Sequence, residues 1–228
     1  MATKAIISYD DTPNDHDALM FGGVLGDAGV ELVLAYVRHT TQTERAREQL
    51  EGHEAEALLE RGARTLGDLD VERRVVVSPS TAEGIRWLAE REPAEIVVFG
   101  SDYRTAAGHI APQKSAEALL QGGPAAIAIA PANYRGDHLS RFGRVGVRAE
   151  AGDDAAIETA RELADSLGAR VTRDEPYVDL LVVGSRREAP EGQVMISSAA
   201  WNAIENAASP VLVVPRGVKV PFPVLVSA

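Results

Sequence analysis

A set of small residues that follows an apolar run holds the positions here best suited to take a ligand. The set is Gly100, Ser101, Gly108 and Ser115. Glycine lets backbone come close to a bound group. The free N–H groups of a helix opening at Ser115 suit an anion. The chemistry implied is the capture of a phosphate-bearing ligand. Covalent catalysis is not implied, because no Ser-His-Asp or Cys-His arrangement can be argued from the spacing, and no catalytic residue is singled out.

These residues sit in a recognisable order of elements. Residues 96–99 form a continuous apolar run, expected as a strand buried on both faces. Gly100 and Ser101 break it, a loop with Gly108 and Pro112 follows, a helix starts at Ser115, and residues 127–130 form a second strand. The same layout returns as DLLVVGSRREAPEGQVMISSAAWNAIENAASPVLVVP. A constant offset of 84 residues relates Gly100 to Gly184, Ser101 to Ser185, Gly108 to Gly192 and Ile127 to Val211. Two copies of one unit in a single chain indicate an internal repeat.

The elements that must carry these loops alternate between strand and helix. Residues 5–9 read as the first strand and end in turn and cap residues, Asp10, Asp11, Thr12 and Pro13. A helix over 15–28, a strand over 31–37 and a long helix over 43–66 come next. In that helix Ala46, Leu50, Ala57 and Leu58 are expected to face the sheet. A strand over 74–77 and a helix over 81–91, with Ile85 and Leu88 inward, complete the first copy. This order gives a parallel, doubly wound sheet.

The polar stretch 131–141 is the expected domain boundary. A strand over 144–149 and a helix over 153–167 restart the pattern. Aligning Asp10 with Glu150 gives an offset of 140 there, so the second copy is 56 residues shorter than the first. Residues 169–172 are expected to be an irregular return, since too few residues follow for a parallel crossover. The apolar tail VKVPFPVLVSA, with Pro221 and Pro223, cannot form a regular helix. It is expected to lie extended, either across the second domain or onto a partner chain, with Phe222 and Leu225 buried; a homodimer in which each tail or reduced sheet is shielded by the other chain is the favoured version.

The two blocks, together with AIISYDDTPNDHDAL at the N-terminus, resemble the universal stress protein (UspA) family in its tandem two-domain form. The resemblance implies two Rossmann-like doubly wound α/β domains, a complete one over 1–136 and a truncated one over 137–228. It implies that the domains pair through their last strands, 126–130 with 211–214, as an intramolecular pseudo-dimer. It also implies an adenine nucleotide, ATP or AMP, in the first domain. There Asp10 would meet the adenine, Val37 its edge through the backbone, and Gly100 and the loop through Ser101, Gly108, Gln113, Lys114 and Ser115 the ribose and phosphates. The sequence departs from the family at Tyr103, where a loop Gly is expected, and at Gln113 and Lys114, where Gly-Ser is expected. In the second copy Glu150 stands in the Asp position, Arg187 in that of the second Gly, and Ser197 and Ser198 in that of Gly-Ser. A non-binding member of the same family acting through protein partners is the alternative.

Composition narrows the remaining classes. The 228 residues carry a net charge of −11, which argues against nucleic acid as a partner. There is no cysteine, so thiol and disulfide chemistry are absent. No leader shape or membrane-length apolar run is visible, and a cytoplasmic location is expected. The five histidines have no metal-ligand spacing, so no metal is assigned. Asp10 and Asp11 after a first strand would also suit a response-regulator receiver. Residues 78–80 and 131–133 lack the Asp and Lys that such a receiver needs.

Overall fold

The structure, a computed structural model, describes residues 3–39, 45–134, 142–150, 152–173, 175 and 177–223, with backbone alone over 45–51. The N-terminal repeat runs β1 (Lys4–Ser8), α1 (Pro13–Asp27), β2 (Glu31–His39), α2 (Arg45–Thr65), β3 (Val71–Ser78), α3 (Thr81–Arg91), β4 (Ile96–Gly100), α4 (Lys114–Leu119), β5 (Gln121–Gly123) and β6 (Ala126–Ala130). The C-terminal repeat runs β7 (Arg144–Arg148), α5 (Asp154–Leu167), β8 (Arg170–Thr172), β9 (Leu180–Gly184), β10 (Val194–Met195), α6 (Ser198–Glu205) and β11 (Val211–Val214).

Nine strands form one sheet in the order β3-β2-β1-β4-β6-β11-β9-β7-β8. Every neighbouring pair is parallel except β6 and β11, which run antiparallel with Ile127 opposite Val213 and Ile129 opposite Val211. The last strands of the two repeats therefore join them, as the pseudo-dimer expectation required. The reason is visible in the strands: AIAIA and VLVV are buried at every residue, so neither tolerates an open edge. A short antiparallel ribbon of β5 with β10 ties the repeats a second time. Sequence patterning does not reveal it, because QGG carries no strand signal.

Helices cover both faces. One buried cluster holds α1, α2 and α5 residues such as Phe21, Leu59 and Leu163; the other holds Ile85, Leu88, Leu119 and Ile204 from α3, α4 and α6. Among the described residues no helix is long and apolar enough to cross a membrane.

Two expectations are corrected. In α2 the inward positions are Ala55, Leu59 and Gly62, whereas Ala57 is exposed; Leu58 is half-buried, and Ala46 and Leu50 lie outside the residues whose side chains are described. The stripe follows i, i+4, i+7 from Ala55, which leaves Ala57 rotated off it. Second, Arg170–Thr172 is a regular parallel strand paired with β7. The crossover objection fails because β9 does not neighbour β8: it pairs with the other side of β7. The link, residues 173–179, has to pass one strand and return along its length, and seven residues can reach at most about 3.3–3.6 Å each.

The tail takes the first of its two expected courses and lies against its own chain. Val220 and Phe222 are buried in the α1/α2/α5 cluster. The Val220 N–H donates to Thr159 Oγ1 at 2.9 Å, and the Phe222 N–H to Glu162 Oε2 at 3.1 Å. Thr3 and Ser166 donate to the carbonyls of Pro221 and Pro223. The tail therefore supplies cover that the shortened repeat lacks on that face. Leu225 and its neighbours lie outside the described residues.

Candidate functional site

At the ends of β1 and β2 lies a cavity of about 550 Å³. Asp10, Val37, Gln113 and Ser115 all line it, so three segments far apart in sequence converge on one space. They meet there because β1 and β2 are parallel neighbours and Ser8 pairs with Ala35, which brings both strand ends to the same edge. Three side chains not singled out from the sequence also line it: Asp15, Arg38 and His39. Their signal was position: Asp15 lies five residues past Asp10 in the first turn of α1, and Arg38 and His39 follow Val37 directly.

The other expected residues do not line this space. Gly100 is set against α1: a Cβ there would stand 1.9 Å from the Asn14 carbonyl oxygen. Asn14 Nδ2 in turn donates to the Ser101 carbonyl. The Ser101 hydroxyl is buried and donates to the Ala130 carbonyl at 2.8 Å. Gly108 takes a left-handed φ of 77° and donates its N–H to Ala132 at 2.8 Å. Lys114 is exposed at the first turn of α4, and Tyr103 is 69% exposed.

The second repeat reproduces these contacts. Ser185 donates to Val214 at 2.7 Å, and the Gly192 N–H to Arg216 at 2.8 Å with φ 76°. A Cβ on Gly184 would stand 1.9 Å from Asp153 Oδ2. In both copies the Gly-Ser pair closes the loop onto the sheet, a structural duty that any ligand role has to share.

The electrostatics of the first cavity are divided. Asp15 is 5% exposed, and its Oδ2 accepts from the Asp10 N–H at 3.0 Å, the Thr12 N–H at 3.2 Å and the Thr12 hydroxyl at 2.7 Å. Burial, followed by the neighbouring Asp10 carboxylate, pushes its carboxyl up to about 8. Asp10 is exposed, with Oδ1 accepting from the Thr12 N–H at 3.3 Å. Across the cavity His39 Nε2 lies 3.1 Å from the Thr81 hydroxyl. The space thus offers the Asp10 carboxylate and the buried Asp15 carboxyl at one end, a strand-edge backbone in the middle, and Arg38 and His39 beside them. Such a set can hydrogen-bond a polar heterocycle. Among the described residues no three His, Cys, Asp or Glu side chains converge as metal ligands.

The architecture has close structural counterparts. A universal stress protein from Archaeoglobus fulgidus DSM 4304 superposes with a TM-score of 0.70 at 17% identity, over 94% of this chain and 98% of that one. A functionally unknown protein from Pseudomonas aeruginosa PAO1 superposes with a TM-score of 0.64 at 12% identity, over 94% and 93% of the two chains. The chain has the tandem α/β fold seen in the universal stress protein structure. No family model matches the sequence, and no curated protein matches it.

Proposed function

We propose that this chain, built on the universal stress protein fold, acts in a stress response by binding an adenine nucleotide, ATP or AMP, in the cavity of its first repeat. One observation carries the reading: Asp10, Val37, Gln113 and Ser115 line a single cavity of about 550 Å³, a size that suits a small ligand. Asp10 accepts from the base, the Val37 backbone meets its edge, and the Gln113–Ser115 turn faces the ribose and phosphates. Lys114, exposed beside that turn, supplies a cation within the same loop.

Calorimetry with ATP and with AMP on the purified chain tests this reading. Saturable binding is expected, and Asp10→Ala is expected to weaken it by about 1–3 kcal/mol through the lost hydrogen bond. Unchanged affinity in that variant removes Asp10 from the site, and no heat with either nucleotide removes the proposal.

A second reading, a non-binding member that works through protein partners, draws on a different observation. The loop glycine and serine are engaged in closing the fold, Gly100 against Asn14 and Ser101 on Ala130, and Gln113 stands where a small residue would admit a phosphate. Sedimentation of the purified chain decides whether one such partner is a second copy.

A further inference from the structure

The repeat lets one half of the molecule serve as a template for the other. In the N-terminal repeat α3 seats Ile85, Leu88 and Ala89 in one buried cluster with Val97 and Phe99 of β4 and with Ala116 and Leu119 of α4. Arg86 also donates to the Gly122 carbonyl. At the offset of 84 residues, Val97, Phe99, Ala116, Leu119 and Gly122 become Leu181, Val183, Ala200, Ala203 and Asn206. All five of these counterparts line one cavity of about 880 Å³ on the same side of the sheet.

Among the described residues no helix of this chain lies on that seat, because the sequence passes from β8 directly to β9. The consequence shows in the wall. Ala116 and Leu119 are fully buried, whereas Ala200 and Ala203 are only half-buried. The leucine is also replaced by an alanine, which widens the trough by a side chain.

The charge of the trough is asymmetric. Its acids are engaged: Glu150 accepts from the Arg187 N–H at 3.2 Å, and Glu175 pairs with Arg170 at 2.9 Å and Arg144 at 3.5 Å. Arg148 and Arg173 line the same trough, and among the described residues neither has an ion-pair partner. Tyr177, also lining it, is 76% exposed and offers an aromatic anchor at the rim.

We propose that this trough is a docking seat for an amphipathic helix of an acidic partner protein, lying where α3 lies in the other repeat. An apolar stripe at i, i+3, i+4 would meet Leu181, Val183, Ala200 and Ala203, as Ile85, Leu88 and Ala89 meet their counterparts. Flanking carboxylates would pair with Arg148 and Arg173. A helix fits better than an extended segment because its backbone groups are paired internally and need nothing from an apolar floor. The inference is independent of nucleotide binding in the first repeat.

The probe is a fluorescein-labelled peptide of residues 80–92 in which Arg86→Glu and Arg91→Glu supply the acidic flanks. Its anisotropy is read against the full chain. Saturable binding is expected, weakened at least about ten-fold by Ala203→Arg, and comparably by the paired Arg148→Glu and Arg173→Glu, whose sites are exposed and leave the core alone. A scrambled peptide of the same composition should bind at least about ten-fold more weakly. Absence of binding, equal binding of the scrambled peptide, or binding indifferent to all three substitutions overturns the proposal. So does a wild-type chain that is dimeric in solution while the Ala203→Arg variant is monomeric, since the occupant is then a second copy.

Discussion

Asp15 sits in the surroundings of the first cavity that are least favourable to a charge. Its carboxyl is buried, faces Asp10, and is pushed up to about 8 from an ordinary value of 3.8. The folded chain therefore keeps a proton that the unfolded chain has already lost. Between those two values the native state binds more protons, so stability falls as pH rises from about 4 and levels off above about 8. Asp15→Asn keeps an oxygen to accept from Asp10, Thr12 and the Thr12 hydroxyl while removing the charge. Its melting temperature should change less between pH 5 and pH 8.5 than that of the wild type. An identical pH dependence in the variant places the proton elsewhere. Ligand affinity measured across the same range reports whether the Asp15 proton is also felt in the cavity.

The Gly-Ser loop is the element on which both repeats depend. At Gly100 a Cβ would meet backbone, Asn14 O, at 1.9 Å, and backbone of a helix start cannot step aside cheaply. Gly100→Ala should therefore destabilise the fold by roughly 1–3 kcal/mol through overpacking. At Gly108 a Cβ would meet nothing within 4 Å, and the left-handed φ of 77° is the only objection. Gly108→Ala should cost about 1–2 kcal/mol. Denaturant melts of the two variants check the order, and a Gly100→Ala protein as stable as the wild type would show that α1 shifts to make room. The sequence marked both glycines as phosphate-loop positions. The structure gives each a folding role first, because residue type and spacing do not say which backbone approaches.

At the scale of the whole molecule the two repeats share one sheet, and the tail closes the shorter one. Val220 and Phe222 are 2% and 5% exposed within their own chain. Phe222→Ala should cost about 3–5 kcal/mol as a buried aromatic lost from a core. Removal of residues 218–228 should lower the melting temperature by at least as much. A truncated chain with an unchanged melting curve would mean that the tail contributes no cover.

What could be read directly from the chain was local or repetitive. The apolar strand runs, the breaks at Gly and Pro, and the 84-residue offset that superimposes two loops all survive without knowledge of distant contacts. The alternation of strands and helices followed from them, and so did the shortening of the second copy. Tertiary structure decided the rest. Arg170–Thr172 became a regular strand because β9 crossed to the far side of β7, and no window of sequence encodes that choice. The Ser101 hydroxyl was assigned to Ala130, twenty-nine residues away, only once β6 lay beside β4. Asp15 acquired its raised carboxyl from burial and from Asp10, both set by how α1 docks. Covalent spacing sets periodicity, whereas burial, cavities and proton affinity depend on which surfaces the fold brings within a few ångströms.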